Sequence, residues 1–551
     1  MPSSIFAAAR VVALGLVATS LFAQVPDADS VRLNPEGPAA IRARLDASGS
    51  PQPLCATAEG RAIWAAVQAF YAARADQPVW TAGAALTPAG QRLVDALGGV
   101  ADEGLDPSRY DAALLAGAPQ VLRAAVGGEE ARDVASVEIG LTAALARHAS
   151  DLANGRIDAR PVTVLWRLRP RAFDVLPFLQ LTAERGPEAA LETLRPIHPQ
   201  YAALRAALQH YAGLAATEAG VPVVPGGLKL SAGARGAHAL RARLAFWGDL
   251  DERAASGDAF DAMTVAALKR FQARHGLAAN GVASPEVVAA LNTPVHDRIR
   301  QIALNLERWR WQERTPAGRS VLVNIPAFEL HAYDDGNEAL AMRVVTGRPE
   351  TQTPVFAQAM TSVVLSPYWS VPTNIMLDET IPAVRRDRGY LRRQNLEVLR
   401  GDQVVDPSRV DWKGDVRNIA LRQRPGAGNS LGLVKFQLPN PFNVYLHDTP
   451  NDALFLRPQR AFSHGCVRLS KPEALARWVL ADVPGWSAAR IAAGMRAGRE
   501  NVVALPAPIP VSIGYFTVWV DADGTVRFLP DVYRHDAAQA PLLDVPAAPA
   551  R

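Results

Sequence analysis

Near residue 320 the apolar residues of this chain change their spacing. Upstream they recur every three to four positions, as on one face of a helix: Ile63, Val67 and Phe70-Tyr71, then Leu93, Val94 and Leu97. Downstream they alternate, in Val321-Leu322-Val323-Asn324-Ile325. Glu329–Tyr333, an Asp334-Asp335-Gly336-Asn337 turn and Ala341–Gly347 then spell a β-hairpin. Helices early and strands late predict an α+β chain. Its 551 residues exceed one ordinary domain and suggest three or four. A composition of 49% hydrophobic and 20% charged residues suits packed cores rather than wholesale disorder.

The boundaries follow from local composition. Residues 1–24 read as an export signal: Arg10, an apolar run from Val11 to Phe22, and Ala23 ahead of Gln24. That run is about half of the ~20 residues a membrane span needs. Residues 25–60, rich in Pro, Ala, Ser and Gly, read as a linker, and 61–215 as a helical domain. Within that domain Thr87-Pro88 caps a helix, Gly104–Tyr110 turns into another, and no titratable cluster suggests chemistry. A linker at 216–227 precedes a compact helical module, 228–293. There Leu240, Leu244 and Trp247 share a face, as do Val265, Leu268 and Phe271-Gln272, and Ser284-Pro285-Glu286 starts the last helix.

Residues 297–535 read as mainly β after a first helix. Further strands are expected at Ser362–Leu365, Val434–Gln437 and Val444–His447, helices near 471–482 and 487–496, and a late hairpin of Thr517–Val520 with Thr525–Leu529. Residues 536–551 read as a tail. Between 374 and 428 the β pattern breaks. This stretch holds ten Arg and one Lys against six Asp and two Glu, an excess of three positive charges. Its Tyr390, Leu391, Leu396, Val398 and Leu399 predict a folded insertion, read as a lid.

A net charge of +4 is no polycation, so no nucleic acid is expected as partner. The two cysteines, Cys55 and Cys466, are too few for a disulfide framework. A bridge between them is the lesser reading, because Cys55 sits in a Pro-rich tether and Cys466 in a run that needs a free thiolate. That run is Ser463-His464-Gly465-Cys466-Val467-Arg468. A thiol with pKa near ~8.5 needs an imidazole to take its proton. His464, two residues away, is poorly placed to reach over its neighbour. His447, ending a strand-like segment 19 positions upstream, can meet the thiol from an adjacent strand. Gly465 lets amide N–H groups converge on one spot, as an oxyanion hole requires. Arg468 offers a planar fork for a carboxylate. His447, His464 and Cys466 imitate a zinc set, but no fourth ligand stands at a usual spacing, so no metal is expected.

Together these residues resemble a known signature. Tyr445–Pro450, Leu454-Phe455 and Arg460–Leu469 look like the catalytic segment of the L,D-transpeptidases. Gly347-Arg348-Pro349, Thr353–Phe356 and Ser366–Pro372 are similar to its strand and groove segments. Phe70–Arg74, Pro78-Val79-Trp80 and Gly104–Pro107 resemble the helical scaffold of the family's large multidomain branch. Leu240–Leu244, Phe260-Asp261, Lys269–Leu277 and Gly281-Val282 resemble a three-helix peptidoglycan-binding module, with Asn280 in place of an acid and Ala283 in place of a glycine.

The resemblance implies a helical scaffold, that module, and a mainly β catalytic domain with an inserted lid. It implies Cys466 as nucleophile and His447 as base, oriented by a backbone carbonyl near Asp448. Gly465, His464 and Ser463 would support the site or hold the oxyanion, and Arg468, Tyr445 and Trp369 would bind substrate. The implied partner is a peptidoglycan tetrapeptide stem, cleaved at its terminal D-Ala and joined through a thioester to a second stem in a 3→3 cross-link. No cofactor is implied. Export would place the enzyme in the periplasm, and a monomer is expected. An L,D-carboxypeptidase or thiol hydrolase, and a non-catalytic wall-binding protein, are the alternatives.

Overall fold

The computed structural model describes residues 37–47, 57–111, 115–124, 130–158, 160, 163–168, 173–227, 235–312 and 318–543. The export signal and Cys55 lie outside them. The strands are β1 (Arg319–Asn324), β2 (Glu329–Asp334), β3 (Asn337–Gly347), β4 (Phe356–Leu365), β5 (Trp369–Ser370), β6 (Leu396–Arg400), β7 (Gln403–Val405), β8 (Ala420–Gln423), β9 (Val434–Gln437), β10 (Leu446–His447), β11 (Ala461–Ser463), β12 (Val467–Leu469), β13 (Asn501–Gly514), β14 (Val518–Val520) and β15 (Val526–Phe528).

The main sheet runs β11-β3-β12-β10-β9-β4-β13-β1-β2, and β2 also pairs with β3, so eight strands close on themselves. Closure removes the exposed edges that a flat sheet would offer. Alternation fills the interior with Val321, Val323, Val344, Val363, Phe436, Leu446, Val467 and Ile513, all buried. β13 was not legible in the sequence because Pro506, Pro508 and Pro510 interrupt it. Pro506 and Pro508 fall where the β13–β4 register shifts, between Ala504 and Ile509, and there no ladder hydrogen bond is lost.

The insertion folds around its own core of Val384, Leu391, Val398, Trp412 and Leu421. Its sheet, β5-β8-β6-β7, begins at Trp369, ahead of the break in pattern at 374.

The helical half is more tightly tied in than its sequence suggests. The 25–60 linker contains a helix, Gly37–Ala47, whose Ile41 and Leu45 are buried one turn apart. The 216–227 linker is pinned: Glu218 pairs with Arg243 and accepts from the Val295 amide, and the Asn292 side chain bonds both backbone groups of Val224. The tail begins with a helix, His535–Leu543, anchored by Arg308 on Asp536 at 2.6 Å and on Gln539. In the module, Asn280 keeps the turn, its Oδ1 accepting from the Val282 amide at 2.9 Å. Ser284 stands at the helix start, but its hydroxyl bonds Glu286 instead of capping.

One core joins the helical domain, the module and the β14–β15 hairpin. Trp309 stacks between His198 and Phe516, and Gln200 bonds both the N–H and the C=O of Val520. Buried charge, not anticipated in the helical domain, braces this core. Arg310 pairs with Glu307 at 2.8 Å and donates to Tyr201 and the Glu103 carbonyl. Glu103 is held by Arg195 at 2.7 Å and Tyr201 at 2.6 Å. Glu138 accepts from Val79, Trp80, Thr81 and Tyr71. Each carboxylate is surrounded by donors that fasten separate segments, which is a structural role.

Arg310→Leu is expected to cost about 3–5 kcal/mol of stability, because it strands Glu307 in the core. Urea denaturation measures this; a loss under 1 kcal/mol would contradict it.

Candidate active site

β10 and β12 run parallel, with Leu446 opposite Val467 and His447 opposite Arg468. The Val467 amide donates to the Tyr445 carbonyl at 3.1 Å, so Cys466 lies beside Tyr445. Side chains two apart on a strand share a face. Leu446, Val467 and Leu469 point into the barrel core, and Tyr445, His447, Cys466 and Arg468 point out together. On β9, Lys435 pairs with His447 and shares that outer face.

The register differs from the sequence expectation in one respect. Tyr445, not His447, stands directly across from Cys466, and His447 lies on the diagonal. The Tyr445 and Cys466 side chains interact, each shifting the other's pKa, and Trp369 also acts on the Tyr445 hydroxyl, so the two aromatic residues expected to bind substrate are neighbours at this face. Lys435 Nζ lies 4.1 Å from the centre of the Tyr445 ring. Sequence reading missed Lys435. Its signal was present in the alternation Val434-Lys435-Phe436, but only pairing with β10 turns that into proximity.

His447 is buried, and its Nδ1 lies 2.5 Å from the Asp448 carbonyl. That contact assigns the ring proton to Nδ1 and leaves Nε2 an acceptor. Burial, with Arg468 adding to it, pushes the imidazole down to about 3. The thiol is pushed up by burial, against the opposing pull of Tyr445, Lys435 and Arg468. Both groups are therefore neutral at pH 7. The thiol points at the Asn443 carbonyl, 3.7 Å away, rather than at His447.

The turn carrying Cys466 is held from beneath. Gly465 has φ +118°, a conformation closed to other residues without strain. Its carbonyl accepts from Thr353 Oγ1 at 2.8 Å, and the Ser463 carbonyl accepts from Arg348 N and Thr351 Oγ1. The 347–353 loop folds so closely that a Cβ on Gly347 would meet the Thr351 carbonyl oxygen at 2.1 Å. Ser463 Oγ accepts from the Gly465 amide at 3.1 Å and donates to the Cys466 carbonyl. This corrects one expectation: the Gly465 N–H is engaged by Ser463. The Cys466 amide has no partner among the described residues and is the donor left for an oxyanion.

His464 turns away from the thiol. Its Nε2 lies 2.7 Å from Glu379, on a π-helical turn (Met376–Thr380) of the insertion. Arg468 makes no ion pair among the described residues, and its buried Nε has no partner, which suits a guanidinium awaiting an anion.

Residues 318–503 match the model of the L,D-transpeptidase catalytic domain, 65–208 the model described as "Scaffold domain", and 236–291 that described as "Putative peptidoglycan binding domain". The chain carries the catalytic domain of the L,D-transpeptidase family. A curated protein of Haemophilus influenzae named "Putative L,D-transpeptidase" is 34% identical over 239 residues, which are 43% of this chain and 48% of that protein. The match thus spans about half the length of that relative. Solved structures that overlap the chain include an L,D-transpeptidase of Mycobacterium smegmatis, at 15% identity and TM-score 0.19, covering 36% of this chain and 60% of that one. Another is the L,D-transpeptidase of Xylanimonas cellulosilytica, at 18% identity and TM-score 0.18, covering 53% and 99%.

The resting pair in this L,D-transpeptidase domain has a measurable consequence. Alkylation of Cys466 by iodoacetamide should rise only in alkaline solution, at higher pH than for an ordinary cysteine, with no reactive plateau near pH 6. Lys435→Met removes a cation that favours the thiolate, so its rise should lie at still higher pH. Rapid labelling at pH 6 would instead indicate a resting thiolate–imidazolium pair.

Proposed function

We propose that the protein is a cysteine L,D-transpeptidase that joins peptidoglycan tetrapeptide stems by 3→3 cross-links, with Cys466 as nucleophile and His447 as base. The observation that carries this is the shared outer face of β10 and β12, where a neutral imidazole with a free Nε2 flanks a half-buried thiol.

A bound stem displaces the thiol from the Asn443 carbonyl toward His447. Sγ attacks the carbonyl carbon of the third stem residue while its proton passes to Nε2. The Cys466 amide receives the developing oxyanion, and Arg468 and Lys435 add positive field to the same face. The C–N bond to D-Ala breaks, the imidazolium returns its proton to the leaving amine, and a thioester remains. The side-chain amine of a second stem attacks the thioester and loses a proton to His447. The new amide forms, and the thiolate recovers that proton. Arg468 is the partner for a stem carboxylate. The insertion covers the site, linked to it through Trp369 and through Glu379 on His464. The leader at 1–24 supports work in the periplasm, where this polymer lies.

Mass spectrometry of products from defined disaccharide-tetrapeptides tests the chemistry. Cys466→Ala is expected to yield no 3→3 dimer while melting like the parent. His447→Ala should lose about 10²–10⁴ in rate, and retained turnover in either variant would remove that residue from its role. His464→Ala should do far less. Glu379→Ala severs a partly exposed ion pair, so its effect on kcat should not exceed about fivefold, with thiol labelling unchanged. A loss as large as that of His447→Ala would make the contact part of the chemistry.

A further inference from the structure

Beside the nucleophile turn, a trench separates the three-helix module from the barrel. It consists of two open grooves, about 630 and 350 Å³, that share Leu277, Ala278, Asn280, Arg457 and Pro458 and so form one channel. One wall is the turn of the module matched as peptidoglycan-binding, and the other is the 456–462 loop of the catalytic domain. That loop is firm. Arg460 donates to the carbonyls of Val344, Arg457, Ala327 and Phe328, and Arg343 donates to that of Phe455. Its last residues enter β11, which ends at Ser463, three residues before Cys466.

The chemistry of the walls is that of a saccharide site. Asn280 spends only its side-chain oxygen on the fold, leaving its N–H₂ without a partner among the described residues. Gln459 makes no side-chain hydrogen bond among them either, although it lines the trench. Arg457 carries its guanidinium 5.3 Å from the Phe462 ring and forms no ion pair among the described residues. Leu456 is 79% exposed, an apolar surface that no described residue covers. Free amides meet hydroxyl and N-acetyl groups, apolar side chains meet sugar faces, and the Arg457 guanidinium donates to sugar hydroxyl and carbonyl oxygens.

We infer that this trench binds the glycan strand of peptidoglycan, seating the polymer across both domains so that a stem hanging from it reaches Cys466. The inference rests on the proposed activity for the identity of the polymer. It assigns to the module and the 456–462 loop one composite site, in which the catalytic domain supplies half of the wall-binding surface. An open channel passing from one domain to the other takes a chain rather than a single small molecule.

The test uses the full chain with two variants on opposite walls, Arg457→Glu and Ala278→Trp, the latter an exposed position where a bulky ring blocks the trench. Co-sedimentation with purified peptidoglycan sacculi should fall about tenfold in both. Turnover of free tetrapeptide, which has no glycan, and iodoacetamide labelling of Cys466 should match the parent. Parent-like sedimentation of both variants overturns the inference, as does a parent protein that does not sediment with sacculi. Equal losses on free tetrapeptide and on sacculi also overturn it, since the trench would then serve the stem. A parent that binds sacculi through this trench but turns over no tetrapeptide supports the inference and sinks the proposed chemistry.

Discussion

Two residue pairs in a parallel ladder, Leu446 with Val467 and His447 with Arg468, set the geometry on which the site depends. A slip of one residue would carry the whole polar set to the inner face. Leu446, Val467, Leu469 and Phe436 prevent it, each fully buried in the barrel core. Exposing one such side chain costs about 1.5–3 kcal/mol, so exposing four far exceeds any local gain on the outer face. The active-site register is thus fixed from behind, by residues that never meet a substrate.

With the register fixed, burial decides the charge states. Lys435 and Arg468 stand beside the thiol and favour its anion, yet the net direction for Cys466 is upward, so desolvation wins. The same burial and the same cations keep His447 neutral. An imidazole held neutral is a poor acid at rest but a ready acceptor. In the proposed two-step reaction it accepts a proton twice, first from the thiol and then from the incoming amine. In that proposal the cations that fail to ionise the thiol act instead on the tetrahedral intermediate, whose negative charge would develop on the same outer face.

What the sequence made legible was what depends on neighbours in the chain. The change of period near residue 320, the Thr87 cap, the β2–β3 hairpin and the Ser463–Arg468 turn are local patterns, and each appears in the structure. What stayed hidden depends on partners distant in sequence. β13 reads as a Pro-rich loop until β4 and β1 flank it. Lys435 reads as an ordinary strand lysine until β10 pairs with β9. Tyr445 was named for substrate, but only the β10–β12 register puts it directly across from Cys466. The Gly465 amide looked free because the Ser463 side chain that takes it can rotate either way in an isolated peptide.

The domains themselves illustrate the same division. Composition at 216–227 suggested a linker, and a module on a free linker samples a large volume, diluting its effect on the distant site. The fold removes that freedom. Glu218 and Asn292 fasten the segment at both ends, and Arg274 bonds the Val526 carbonyl of the β14–β15 hairpin. The hairpin in turn packs on Trp309, on the helix Val295–Arg310, and bonds Gln200 of the helical domain. A module locked in this way gives up reach and gains a constant position relative to Cys466. For a polymer with stems at regular intervals, a fixed offset between the inferred strand-binding trench and the proposed nucleophile is worth more than reach, because it selects which stem arrives.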